Sequence, residues 1–220
     1  MRSRRDFIFF SVTPRRFDTM QTDLVQISAQ GHGKLRAMGT FNRYILPSQP
    51  VSGNVCLATD LFVKFSYDGR AHQFWHGTSR VNCCKIFRAM TDFFEWIASS
   101  NLDRVRLVAY NDSQIHLLTN TVNRLHAQFP SNVESFITLQ KVLSSTYNLT
   151  SSKQYDLKRM YKYFVAEGDR KSRDNSAIGD VEKTIALYDV AYKSKKKELC
   201  LFEGVRHIRS DLGAYYIFNY

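Results

Sequence analysis

The fold turns on residues 7–29, FIFFSVTPRRFDTMQTDLVQISA. The first part of this stretch is dense in β-formers and stops at Thr13-Pro14, which predicts a buried strand ending at a turn. After a loop, residues 23–30 set Leu24, Val25, Ile27 and Ala29 among polar residues, a second strand. Beyond the Gly31-His32-Gly33 turn, residues 35–46 make a third extended run closed by Pro47. Three strands joined this way form a meander. Outward from it, residues 81–99 carry Ile86, Phe87, Met90, Phe93, Phe94 and Ile97 at helical spacing. Residues 105–110, VRLVAY, read as a strand, and residues 115–129 as a helix with Leu117, Leu118, Val122 and Leu125 on one face, stopped by Pro130. Residues 136–143 suit either a strand or a short helix, and residues 155–167 a helix. A charged loop at 168–175 then leads to a last helix from Gly179-Asp180, with Val181, Ile185, Leu187 or Tyr188, and Ala191 inward. Strand and helix in turn, after a meander, predict an α/β fold: a mixed central sheet of three meander strands plus parallel strands, flanked by helices.

The 220 residues carry 31 Lys plus Arg against 20 Asp plus Glu, a net charge of +11. With 44% hydrophobic residues the chain is rich enough to bury a core, which excludes disorder for its bulk. No apolar run reaches the roughly 18 residues of a membrane helix, and the one at 7–12 is shorter than a secretory core. The expectation is a soluble, cytoplasmic protein without a membrane partner. The basic runs at Arg2, Arg4 and Arg5 and at 193–197 would also suit nuclear import. Cys56, Cys83, Cys84 and Cys200 show no disulfide-framework spacing. An excess of positive charge on a domain of this size favours a polyanionic partner, nucleic acid before membrane. The chain divides into a basic extension at 1–5, a domain at 6–192 and a basic, aromatic tail at 193–220.

Three segments carry a family likeness. The stretch 7–29 resembles a first strand ending in Asp-x-Glu-Thr-Thr, then a loop, then a strand of the type IVQISA. The stretch VRLVAYNDSQIHLLTN at 105–120 resembles a strand ending in Ala-His-Asn before a helix with an Asp in its first turn. The stretch NSAIGDVEKTIALY at 175–188 resembles His-x-Ala-Leu-x-Asp, in which a His lies five residues before the last Asp. Together they resemble the DEDDh 3′ to 5′ exonucleases, and the resemblance implies a ribonuclease H-like fold. It also implies two-metal-ion phosphodiester hydrolysis by four carboxylates and a general-base His. At the matching positions this chain has Ser11 for the first Asp, Thr13 for the Glu, Gln114 or Ile115 for the second Asp, and Asn175 for the His. Only Asp180 is retained. A hydroxyl or an amide cannot balance a dication as a carboxylate does, and Asn175 has no titratable nitrogen. The expectation is a pseudo-exonuclease, without catalytic residues, metal or cofactor.

Among inactive members, RYILP, TDFFEWI with VRLVAY, NVESFITL and IALYDVAYK resemble the exonuclease-like domain of the Exuperantia family. That likeness implies RNA binding with limited sequence preference within a messenger-RNA or small-RNA ribonucleoprotein, and dimerisation. Arg15 and Arg16 follow the first degenerate motif, and Arg170, Lys171 and Arg173 precede the third. All five are therefore candidates to hold phosphates along the cleft, with Phe17, Tyr110 or Tyr161 as stacking surfaces. The alternative is a protein-interaction or homodimer scaffold using the tail and the exposed face of the helix at 81–99. A third reading is a weak metal-dependent nuclease on Asp18, Asp112 and Asp180. His72, His76, Cys83 and Cys84 have a spacing known from zinc sites, but residues on one helix would face apart, so buried thiols are expected instead.

Overall fold

A computed structural model describes residues 6–18, 23–65, 72–147, 156–165, 175–194 and 205–207. Two sheets organise it. The larger has seven strands: β1 (Phe7–Pro14), β2 (Leu24–His32), β3 (Thr40–Ile45), β7 (Cys83–Cys84), β8 (Val105–Ala109), β9 (Val133–Thr138) and β10 (Val205–His207). Their order is β10-β9-β8-β1-β2-β3-β7. The β1–β2–β3 meander is antiparallel, while β8 and β9 run parallel to β1 on its other side. The sheet is mixed, as the sequence predicts. A three-stranded sheet of β4 (Leu61–Phe65), β5 (His72–His76) and β6 (Ser79–Val81) lies between β3 and β7 in the chain.

Alternation along β1 sends its residues to two cores. Ile8, Phe10 and Val12 join the core under helices α2 (Ile86–Ala98) and α3 (Asp112–Arg124). Phe7 and Phe9 face the opposite core, where α4 (Leu139–Thr146), α5 (Leu157–Phe164) and α6 (Ala177–Ser194) supply Leu143, Met160, Val181, Leu187 and Tyr188. A strand buried on both faces reads as the continuous apolar run FIFFSV, and β1 sits mid-sheet accordingly. A third, smaller core of Val25, Val51, Val55, Leu61 and Phe74 joins the small sheet and α1 (Gly53–Thr59) to the body.

Several boundaries differ from the sequence reading. The third extended run is a strand only from Thr40, because residues Gly33–Met38 form a 3-10 turn that folds back over Gly31. A Cβ on Gly31 would overlap the Leu35 carbonyl, and Gly33 and Gly39 bracket the turn at φ of 70° and 71°. The helix expected from residue 81 starts at Ile86, since Cys83 and Cys84 are drawn into a strand beside Tyr44 and Ile45. Helix α3 begins at Asp112, earlier than its apolar pattern, because the Asn111 side chain accepts the Gln114 N–H as an N-cap. Residues 136–143 are both alternatives in turn, the end of β9 followed by α4. Within the tail, residues 205–207 pair antiparallel with β9, too short a strand for periodicity to show. No helix among the described residues is long and apolar enough to cross a membrane.

Candidate functional site

Parallel strands β1, β8 and β9 end on the same side, and the crevice beyond the carboxyl ends of such strands is where open α/β sheets hold ligands. Ser11 and Thr13 lie near that end of β1, both buried. Alternation places them on the face of Phe7 and Phe9, toward α6. From the first turn of α3, Gln114 Nε2 donates to Ser11 Oγ at 2.7 Å, while its Oε1 lies 3.3 Å from the Tyr110 amide. Both ends of the amide are thereby engaged. Of the two residues matched to the second Asp, Gln114 thus faces Ser11, while Ile115 packs into the core under α2 and α3, because one residue along a helix turns the side chain by about 100°.

Asn175 and Asp180, the residues matched to the third motif, lie at the N-terminal turn of α6. Gln26, fully buried on β2, accepts the Ala177 amide N–H at 2.9 Å and donates through Nε2 to Asn42 Oδ1 at 3.0 Å, which pins this turn to the meander. Asp180 stands in the first turn, and its carboxylate lies 3.5 Å from Lys183 Nζ. The same ammonium is 3.4 Å from Asn175 Oδ1. Lys183 is 0% exposed, against 27% for Asp180. A lysine this deep is rare unless paired. Sequence reasoning passed over it, although its place three residues after Asp180 and four before Leu187 puts it on the inward stripe of α6. Deeper in the crevice, burial pushes the Tyr110 hydroxyl well above its ordinary pKa, with a smaller push from the Asp156 carboxylate that caps α5.

The three carboxylates of the nuclease alternative are held apart, each by its own cation. Asp18 takes Arg16 at 2.5 Å, and that hydrogen bond holds its carboxyl below its ordinary range. Asp112 takes Lys141 at 2.6 Å and accepts from Thr138 Oγ1 at 2.5 Å. Asp180 takes Lys183. Among the described residues no three His, Cys, Asp or Glu side chains are grouped as a metal requires. Among the described residues, the matched positions and their partners supply the Ser11 and Thr13 hydroxyls, the Gln114 and Asn175 amides, the Asp180 carboxylate and the Lys183 ammonium. Such a set does not fit a pair of divalent cations, which want several anionic oxygens.

The zinc spacing is likewise dispersed. His76 Nδ1 shares a hydrogen bond with the Tyr44 hydroxyl at 3.0 Å. Cys83 packs on the small core and Cys84 on the large one, and burial pushes both thiols up.

Of the expected phosphate-binding residues, Arg15 and Arg16 follow directly on β1. Arg15 Nη1 donates to the Pro50 carbonyl at 3.2 Å, which fixes its side chain against the loop before α1. Arg16, Phe17 and Asp18 line an open depression of about 400 Å³ with Ser52, Gly53 and Asn54. Phe17 is 56% exposed at its rim. Arg170, Lys171 and Arg173 lie outside the described residues. Helix α5, within the helix expected at 155–167, exposes Lys158, Lys162 and Tyr163, while Met160 and Tyr161 are buried, so Tyr161, like Tyr110, is a core residue and not an open stacking surface.

A sheet of this order with helices on both faces is ribonuclease H-like, the fold of DEDDh 3′-exonuclease domains. No protein-family model matches the sequence, and no curated protein sequence matches it. Solved structures do. The nuclease domain of 3′hExo, a DEDDh family member bound to rAMP, superimposes with a TM-score of 0.63 at 14% identity, covering 88% of this chain and 94% of that one. A 3′-exonuclease solved in 3′-end specific recognition of histone mRNA stem-loop gives 0.65 at 12% identity, covering 96% and 93%. The zinc-bound E. coli ExoI–ssDNA complex gives 0.59 at 16% identity, covering 90% of this chain and 42% of that one. At these identities the likeness is one of fold.

Proposed function

We propose that this chain is a catalytically inactive, Exuperantia-like exonuclease domain. In this reading it binds single-stranded RNA with limited sequence preference along the former active-site crevice, within an mRNA- or small-RNA-related ribonucleoprotein. The observation that carries the reading is the buried ammonium of Lys183 between Asp180 and Asn175. An internal cation neutralises the one retained carboxylate, and Ser11 and Gln114 satisfy each other where two more carboxylates would be needed. What supports RNA as ligand is the net charge of +11, the Arg16–Phe17 rim, the exposed cations of α5, and structural neighbours solved with a nucleotide or a nucleic acid. Arg15, Arg16, Arg170, Lys171 and Arg173 take the backbone phosphates in this reading, and Phe17 a base.

Fluorescence anisotropy of a labelled single-stranded RNA, titrated at several salt concentrations in Mg²⁺ and Mn²⁺ buffer with end points run on a denaturing gel, tests both halves. Salt-sensitive binding with RNA left at full length is expected. Shortening that EDTA abolishes would overturn the inactive half, and absence of binding at low salt the RNA half. Arg16→Ala should weaken binding several-fold across sequences and lower the salt slope by about one, because Arg16 would exchange Asp18 for a phosphate. An unchanged slope would remove Arg16 from the interface.

A protein-interaction or dimer scaffold is favoured by a separate observation, the exposure of Phe87 at the start of α2. Under that reading, light scattering shows a mass that rises with protein concentration and falls back in Phe87→Ser.

A further inference from the structure

The small sheet has one face in the core, and its other face, half-buried to exposed, is unusual in composition. Leu61 and Phe74 are buried and Val63 and Val81 pack beside them, so alternation turns Phe62, Lys64, Gln73, Trp75 and Arg80 outward. The register aligns three of these in one row across the strands: Phe62 opposite Trp75, and Trp75 opposite Arg80. The planes of the Phe62 and Trp75 rings are nearly parallel, 9° apart, with centroids 6.4 Å from each other. Lys64 Nζ rests over both, 3.9 Å from the Trp75 centroid and 5.5 Å from that of Phe62. Lys64 and Arg80 are exposed, and among the described residues neither pairs with a carboxylate. A parallel pair of rings on a sheet, edged by two exposed cations, is complementary to bases strung on phosphates.

We propose that the outer face of the small sheet is a second contact surface for single-stranded nucleic acid, with Phe62 and Trp75 stacking bases and Lys64 and Arg80 holding phosphates. The ammonium now over the rings marks the space a base would enter. Its four-carbon stem lets it swing to a phosphate while cation–π attraction is exchanged for stacking. The site shares only a ligand class with the crevice reading and uses none of the same residues.

Trp75 and Trp96 are the two tryptophans of the chain, so Trp96→Phe leaves Trp75 as the sole reporter. Titration of that variant with a short oligouridylate at low salt is expected to quench Trp75 emission. Trp75→Ala and Phe62→Ala should each weaken binding about tenfold, and Lys64→Gln and Arg80→Gln severalfold. The last two replace exposed side chains and keep the test valid should either ring variant fail to fold. Arg16→Ala should reduce affinity without reducing the quenching at saturation, which separates this surface from the crevice. The proposal is overturned if emission stays constant while anisotropy saturates, or if no oligonucleotide binds at low salt. It is equally overturned if emission changes with protein concentration alone, which would give the face to a second copy of the chain.

Discussion

Lys183→Ala is expected to lower the unfolding free energy by about 3 kcal/mol, or roughly 6–12 °C in Tm. Two effects add. The alkyl stem leaves a cavity where α6 packs, and the loss of the ammonium takes a cationic partner from the Asp180 carboxylate and the Asn175 carbonyl in a half-buried turn. Lys183→Met separates them, since it keeps most of the stem and removes the charge, and should cost about 2 kcal/mol. Adding Asp180→Asn to Lys183→Met should recover much of that loss, because a neutral pair replaces a broken ion pair. Denaturant titrations of the three variants measure this directly. A Lys183→Met protein as stable as its parent would mean that water or another group already neutralises Asp180, and the internal-cation account would fail.

What the sequence made legible was whatever two-sided burial or a motif imposes on it. The run FIFFSV could only be a strand covered on both faces, and it is the strand joining meander to parallel half. Ser11, Thr13, Gln114 and Asn175 were found by register against a known pattern, and Ser11 and Gln114 do meet across the sheet. The misses share a cause: each depends on contacts between segments far apart in the chain. Gln26, pinning Ala177 from 151 residues away, looks like any polar residue in a strand. The 3-10 turn at Gly33–Met38 follows from the close approach to Gly31, which composition does not record. The small sheet was overlooked because its strands are short and only one face alternates into a core. Lys183 was missed for the opposite reason, since a lysine on the inward stripe of a helix is read as an exposed exception until the buried partner is seen.

Restoring one carboxylate tests whether the crevice retains any capacity for metal. Ser11→Asp places a carboxylate at a position 1% exposed, where the hydroxyl now accepts from Gln114. One amide donor cannot replace the solvation of a full charge, so a loss of about 3 kcal/mol is expected at neutral pH. The pH dependence follows from the same imbalance. Burial raises the introduced group's folded-state pKa above its unfolded value of about 3.9, so the folded protein binds the proton more readily. The penalty is therefore fully present above the folded pKa, shrinks as pH falls through it, and is relieved below the unfolded value. Stability of the variant relative to its parent should accordingly improve on acidification from neutral pH toward pH ~4. Millimolar Mn²⁺ should leave its Tm unchanged, because among the described residues the nearby carboxylate, Asp180, is held by Lys183 and Ser11, Thr13, Gln114 and Asn175 are neutral. A metal that bound the folded state selectively would instead raise the Tm through mass action. A rise of several degrees in Mn²⁺, absent from the parent, would show that a single substitution rebuilds a metal site, and the pseudo-exonuclease reading would lose its physical basis.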